Sequence, residues 1–454
     1  MTFWGIVQPV KREVRMAKQE IVVGIIGFGT VGTGTAKILM ENREILSERL
    51  GFDIILKKIA DKDTERHRGI ALPEGVLTAD AGAVLGDPDI DIVFELVGGI
   101  HPAKDFILEA IRGKKHVVTA NKALLATEGN DIFREATRHG VEVGIEAAVA
   151  GGIPIIKVIR EGLVANNVLA IYGIINGTSN YILTKMTEEK VDFSTALQDA
   201  QRLGYAEADP TFDIEGIDSA HKLTILSSLA YGIPLSFASV YKEGITKITS
   251  QDIEFAEELG YKVKLLAITK TSDREVEMRV HPTMVPAEYL ISKVDGVYNA
   301  VYVEGDAVGA TLYYGRGAGD MPTGSAVVAD IVDIGRNIVS GGVARVKGIP
   351  EDGGRGGRNR KIRKMEDIES MYYFRFSALD EPGVLSTISG ILGKYKISIA
   401  SVIQKGRRIG GSVPLVVLTH RAREHGVLSA VKEIDNLPVV SDKTLFVRVE
   451  GKEE

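Results

Sequence analysis

The chain has 454 residues, 61 acidic against 55 basic with a formal charge of −6, and no cysteine; 44% of it is hydrophobic and 26% charged. That length suits two or three domains of about 150 residues, and with no long basic block, general nucleic-acid binding is disfavoured. The missing cysteines exclude disulfides, a thiolate nucleophile and Cys-ligated zinc and suit a reducing cytoplasm, while no apolar run reaches the ~18 residues of a membrane span.

Residues 1–16 lack the apolar core and cleavage site of a signal peptide and read as a disordered extension or a misassigned start. From residue 17, "IVVGIIGFGTVGTGTAKILMENREIL" reads strand, glycine turn, helix. Further strand-like runs follow at "FDIILKKIAD", "IDIVFELVG", "HVVTA" and "VEVGIEAAV", with helical patterns such as "AKDFILEAIRG" and "EGNDIFREATRHG" between them. This alternation predicts an α/β, doubly wound, Rossmann-type domain over 17–150. Residues 151–340 mix helices with a sheet and read as a second, α+β domain. The segment 341–370, rich in glycine and charge, has linker composition. Residues 371–454 follow a βαββαβ order and read as a small module separate from the rest.

Gly27-Phe28-Gly29-Thr30-Val31-Gly32 is a G-x-G-x-x-G in its required context, after a strand and opening a helix. Such a loop lets backbone approach a pyrophosphate at a helix N-terminus. Asp61, at the end of the second strand, can accept ribose hydroxyls, which favours NAD. Lys58 or Lys62 can pair with a 2′-phosphate, which favours NADP. Both cofactors stay open.

The stretch "GYAEADPTFDIEGIDSAHKL" crowds Glu207, Asp209, Asp213, Glu215 and Asp218 ahead of Lys222. Asp218 and Lys222 stand four apart, so on a helix they share a face. Spacing alone fits a surface ion pair equally well. Position argues otherwise, because the pair opens an apolar helix directly after an acidic loop containing glycine and proline. Lys122, in "TANKALLA", follows a strand at the sheet edge where ligands bind in such folds.

Taken in order, "GFGTVG", "ELVGG", "TANKALLA", "EAAVAGGIPII", "INGTSNYIL", the acidic stretch and "YGRGAGDMPTGSAVVAD" resemble homoserine dehydrogenases over residues 20 to about 450. The terminal "LDEPGVLSTISGIL" resembles an ACT domain, an amino-acid-binding regulatory module. The resemblance implies reversible NAD(P)-dependent interconversion of L-aspartate 4-semialdehyde and L-homoserine, with a catalytic and dimerisation region in the middle of the chain and a homodimer or homotetramer as its assembly. It implies Asp218 and Lys222 as the catalytic pair and Glu207 as the substrate-ammonium ligand. Lys222 is expected as proton donor in reduction and Lys122 as a substrate or cofactor contact, and these two roles are interchangeable. Gly177, Thr178, Tyr205 and Asp213 are expected around the substrate, and Gly204, Gly317 and Gly319 near the nicotinamide half. A monovalent, sodium-type cation is implied at Glu146 and the carbonyls of Val149, Gly151 and Ile153. At the ACT turn, Asp380, Glu381 and Gly383 are expected to hold an effector, with L-threonine as the leading candidate. The competing reading is a non-catalytic nucleotide- and amino-acid-sensing protein; the presence of a proton-transfer pair argues against it.

Overall fold

The first element is the strand β1 (Glu20–Ile26), whose Ile21, Val23 and Ile25 are fully buried. In the computed structural model of the protein the described residues are 18–342, 349, 360–405 and 411–451. The expected extension 1–16 and most of the expected linker 341–370 lie outside them. β1 pairs in parallel on both sides with β2 (Asp53–Ala60) and, later in the chain, with β4 (Ile92–Glu95). With β3 (Leu77–Thr78), β5 (His116–Thr119) and β6 (Val143–Gly144), they form a six-stranded sheet in the order β3-β2-β1-β4-β5-β6. The chain thus reverses direction between β1 and β4, and that crevice at the carboxyl ends of the strands is where such sheets bind ligands. Helices Thr30–Glu41, Ala103–Arg112 and Lys122–His139 connect the strands.

The helix Asp320–Ser340 returns to this sheet rather than staying with the middle of the chain. Its Ala326, Val327, Ile331 and Ile334 share a core with Ile21, Ile25, Phe52 and Phe94. Its backbone approaches the Thr30–Glu41 helix so closely that a Cβ on Gly34 would lie 2.2 Å from the Asp320 carbonyl oxygen. The expected middle domain, 151–340, thus lends its last helix to the core of the first. The reason is tertiary: the apolar stripe of this helix is complementary to the nucleotide domain.

A second, twelve-stranded sheet contains in spatial order Gly309–Arg316, Tyr298–Gly305, Val168–Ile174, Tyr261–Ser272, Glu275–Pro286, Leu445–Val449, Glu369–Leu379, Ser412–Thr419 and Ile399–Gln404, with three short strands beside this path. The βαββαβ order appears as expected, with helices Val384–Lys394 and Glu424–Ile434. The module is not separate, however. Its last strand pairs antiparallel with Glu369–Leu379 (Tyr372↔Arg448) and parallel with Glu275–Pro286 (Thr283↔Arg448). One continuous sheet joins the middle of the chain to the terminal module, because a final strand can satisfy its backbone on both edges.

Candidate active site

The glycine turn is shaped by close contact. Gly27 has φ of 101°, and a Cβ there would sit 2.5 Å from Leu96 backbone; a Cβ on Gly32 would sit 2.2 Å from the Gly27 carbonyl oxygen. Phe28 is buried, whereas Gly29 and Thr30 are exposed at the start of the Thr30–Glu41 helix, with Val31 half-buried. Asp61 is bound into the turn. Its Oδ2 accepts the Phe28 N–H at 2.5 Å and its Oδ1 accepts Asp63 N–H at 2.8 Å, with Arg68 Nη2 at 3.2 Å. Arg68 donates from Nε to the Phe28 carbonyl at 2.5 Å and lies 4.9 Å from the Phe28 ring centroid. Lys58 donates to the Gly75 carbonyl, and Lys62 is exposed. Arg68, which sequence reading passed over in "DKDTERHRG", is the cation nearest the turn's own hydrogen bonds.

On the same edge of the sheet, Lys122 begins the Lys122–His139 helix, capped by the Asn121 side chain accepting Leu124 N–H. Asn121 also donates to the Gly99 carbonyl at 2.6 Å. Buried Glu95 accepts N–H groups of Val97 and Gly98 and the Thr119 hydroxyl, which ties the "ELVGG" turn to the Lys122 turn.

Asp218 and Lys222 share one face of the Ile217–Tyr231 helix, as their spacing predicts. Lys222 Nζ donates to Asp218 Oδ2 at 2.7 Å and to the Ile175 carbonyl at 2.6 Å. Lys122 Nζ approaches the other oxygen, Asp218 Oδ1, at 2.9 Å. One carboxylate thus bridges two ammonium groups from different domains. Asn176, the N-cap of the Gly177–Glu189 helix, donates from Nδ2 to both Asp218 Oδ2 (2.9 Å) and Asp213 Oδ1 (2.6 Å). Asn176 is the second residue missed; its position just before "GTSN" marks it as a helix cap, and only the fold turns its amide toward two acids.

Environment separates the two lysines. The Lys222 side chain is 9% exposed and Asp218 8%, whereas Lys122 is 41% exposed. Burial, reinforced by Lys122, outweighs Asp218 and holds the Lys222 ammonium below the ordinary lysine range. Attraction to Asp218 dominates for Lys122 and raises it. For Asp218, burial opposes ionisation, but Lys222 and Lys122 together outweigh it and hold the carboxyl well below the usual range. Burial raises Asp213. The result is one permanent anion, one permanent cation toward solvent and one lysine with a weakened hold on its proton.

The surrounding residues fall into two groups. Thr178 donates its hydroxyl to the Tyr205 carbonyl at 2.7 Å, which draws the acidic loop onto the Gly177–Glu189 helix. Tyr205 packs against Tyr181 with centroids 4.9 Å apart and the rings tilted by 58°, and Gly204 turns the chain with φ of 75°. A Cβ on Gly177 would meet the Val297 carbonyl at 2.7 Å, so this glycine lets the helix start approach the sheet. Glu207 is exposed and its carboxylate forms no hydrogen bond or ion pair with a described residue, so it stands outside the lysine cluster. Gly317 lies against Asn299, and Gly319 precedes the Asp320–Ser340 helix.

At the expected cation site the Glu146 carboxylate is already engaged. Its Oε1 accepts Ile156 N–H at 2.9 Å and its Oε2 accepts Lys157 N–H at 2.8 Å, and burial pushes its pKa up to about 7. The Ile153 carbonyl accepts Ile155 N–H at 2.7 Å. Each Glu146 oxygen keeps a second lone pair, so the carboxylate, with backbone carbonyls such as those of Val149 and Gly151, is of the oxygen type that suits a hard cation. Among the described residues, no group of three or more His, Cys, Asp or Glu side chains is placed to hold a metal.

A dinucleotide turn, together with a buried lysine whose hold on its proton is weakened, suits hydride transfer to or from a carbonyl carbon, and the protein is an NAD(P)-dependent oxidoreductase. Sequence profiles agree in detail: homoserine dehydrogenase over residues 154–332, its NAD-binding domain over 27–146 and an ACT domain over 372–439. The chain is 47% identical over 429 residues to homoserine dehydrogenase of Neisseria gonorrhoeae, covering 94% of this chain and 98% of that protein. It superposes with a TM-score of 0.90, at 48% identity, on the crystal structure of a homoserine dehydrogenase from Thiobacillus denitrificans, covering 95% and 98% of the two chains. A hyperthermophilic archaeal homoserine dehydrogenase in complex with NADPH aligns over 69% of this chain and 97% of its own, at 26% identity and a TM-score of 0.60. The chain belongs to the homoserine dehydrogenase family. It interconverts L-aspartate 4-semialdehyde and L-homoserine on the route to threonine, methionine and isoleucine.

Proposed function

We propose that Lys222 gives the proton to the carbonyl oxygen during semialdehyde reduction and takes it from the hydroxyl during homoserine oxidation. The observation that carries this is the Asp218 carboxylate bridging Lys222 and Lys122 at 2.7 and 2.9 Å. When bound, the nicotinamide supplies or accepts the hydride. Asp218 orients Lys222 and keeps its charge tolerable in a buried place; Lys122, at the open side, contacts the substrate oxygen or carboxylate. The unpaired Glu207 carboxylate takes the substrate ammonium, with Asp213, Gly177, Thr178 and Tyr205 shaping the pocket around it. The decisive experiment is to follow nicotinamide absorbance with homoserine in wild-type, Lys222→Ala and Glu207→Gln proteins. The first variant should lose turnover, and the second should mainly raise the homoserine KM. Loss of neither would defeat the assignment.

For the cofactor, Asp61 keeps lone pairs for a ribose hydroxyl, which supports NAD, while the Arg68 charge beside it supports NADP, and comparing kcat/KM with the two cofactors separates them. A monovalent cation near Val149 and Gly151 would be held by carbonyls and the Glu146 carboxylate, and the dependence of activity on sodium against lithium or a quaternary ammonium tests it. The effector reading places L-threonine at Asp380 and Gly383, where Gly383, at φ of 93°, opens the Val384–Lys394 helix. Asp380→Ala should abolish threonine inhibition while leaving basal activity. Assembly as a homodimer or homotetramer has support in the exposed Leu169, Leu290 and Tyr314, and light scattering tests it. Among the described residues no helix is long and apolar enough to cross a membrane, and the cysteine-free composition supports a cytoplasmic location.

A further inference from the structure

The strand Leu445–Val449 carries a buried cation that the reaction does not use. Arg448 is 1% exposed and sits where the terminal module meets the catalytic sheet. Its Nε donates to Glu424 Oε2 at 3.0 Å, and its Nη2 donates to Glu424 Oε1. On the other side, its Nη1 donates to Glu243 Oε2 at 2.8 Å. Tyr372 donates to Glu424, and Tyr241 to the same Glu243 oxygen. A guanidinium suits this place because its planar fork serves two carboxylates at once.

Glu243 is connected onward to the acidic loop. The next residue, Gly244, packs so tightly that a Cβ would lie 2.4 Å from the Ile214 carbonyl oxygen and 2.8 Å from Glu215 Cα. Ile245 N–H donates to that same Ile214 carbonyl at 2.9 Å, and the Thr246 hydroxyl lies 3.4 Å from Glu215 Oε1. Ile214 immediately follows Asp213, whose side chain accepts Asn176 and whose carbonyl accepts the Ser179 hydroxyl. A Cβ built on Gly216, which caps the Asp218–Lys222 helix, would lie 3.6 Å from the Glu243 carbonyl oxygen. The segment 243–246 is therefore clamped between the terminal strand and the loop that leads into the catalytic helix.

We propose that Arg448 is a positioning residue for the substrate loop: through Glu243 and the 244–245 backbone it sets where residues 213–216, and so the substrate pocket, sit. This rests on the assignment of the 207–218 loop to substrate binding. The clamp offers a physical route by which a change in the terminal module alters substrate binding without altering the nucleotide turn, which lies on another sheet.

The test uses the full-length enzyme with Glu243→Gln, which removes the charge facing Arg448 but keeps the shape, and Gly244→Ala, which pushes on the Ile214 carbonyl while leaving every charge in place. Both should raise the homoserine KM by about 3- to 10-fold, while the KM for the nicotinamide cofactor stays within about twofold. Arg448→Lys should behave like Glu243→Gln, and combining those two should add little, since both cut the same link. If Glu243→Gln does not fold, Gly244→Ala decides alone. A homoserine KM within twofold of wild type in the folded variants, or both KM values rising together, overturns the proposal. Glu207→Gln, run alongside, separates the failures. If it raises the homoserine KM and the clamp variants do not, the positioning role is wrong; if it too is silent, the substrate loop itself has been misassigned.

Discussion

The charge cluster in the cleft and the one at the join with the terminal module are both buried, and they are built differently. In the cleft, one aspartate stands between two lysines, one of which is open to solvent. At the join with the terminal module, arginines carry most of the positive charge: Arg279, with Lys270 beside it, holds Glu450, and Arg448 holds Glu424 and Glu243. A buried lysine can surrender its proton when desolvation outweighs attraction; an arginine cannot. Both cations beside Asp218 are lysines, which can change state, whereas Glu424 is held by an arginine that never does and Glu450 by another such arginine beside Lys270. Reactive and structural ion pairs are thus distinguished by the chemistry of the cation more than by burial.

The sharpest way to break this comparison is Lys222→Ala. If the cleft cluster is reactive, kcat should fall by about 10²- to 10⁴-fold, the usual worth of a general acid–base group, with cofactor KM nearly unchanged. A variant retaining more than half of wild-type kcat would remove Lys222 from the chemistry.

The counterpart at the join is Glu450→Gln, which leaves Arg279 and Lys270 facing a neutral amide in a buried place. It should cost about 3–5 kcal/mol, as breaking a buried pair does, while the folded fraction keeps normal kcat. Asp218→Asn should cost less, about 1–3 kcal/mol, because Lys222 can shed its proton and Lys122 reaches water. Urea unfolding of the two variants side by side decides it, and equal losses would refute the distinction.

pH sharpens it further. Burial alone would raise Glu450, but Arg279 and Lys270 outweigh this and bring it down to about 2. Its folded value lies below the unfolded ~4.3, so its stabilisation is fully present above that unfolded value. It is lost as pH falls from about 5 toward 2. Glu450→Gln should therefore flatten the acid limb of stability against pH. Lys222 is shifted the other way in its function: burial lowers it below 10.5. Semialdehyde reduction, which needs its proton, should decline with rising pH through an apparent pKa below that of free lysine, and homoserine oxidation should rise across the same window. Profiles without this opposed limb would contradict proton transfer by Lys222.

The smallest expected effect concerns the cofactor. Arg68→Ala should lower kcat/KM for NADPH by about tenfold, roughly the worth of one ion pair to a phosphate, and change NADH much less. Equal losses would mean that Arg68 only braces Phe28.

Much of this was legible in the chain. The glycine turn, the alternating strands and the Asp218–Lys222 pair depend on contacts between near neighbours, so local spacing and periodicity carry them. Helix spacing alone was enough to place Asp218 and Lys222 on one face, although it left a surface pair equally open. What sequence could not decide was which distant partners those residues meet. Lys122 and Asp218 are 96 positions apart and come together only because the strand His116–Thr119 and the Ile217–Tyr231 helix end at one crevice. Asp61 read as a ribose acceptor from its place after the second strand, but that its oxygens also take the Phe28 and Asp63 N–H groups and pair with Arg68 could be seen only in the folded turn. Glu146 likewise caps the backbone at Ile156 and Lys157. The same limit hid the terminal module's attachment. Its βαββαβ order follows from local pattern, but that its last strand would also complete the catalytic sheet depends on a free edge at Glu275–Pro286, some 160 residues earlier, and an edge is a property of the assembled sheet and of no single segment.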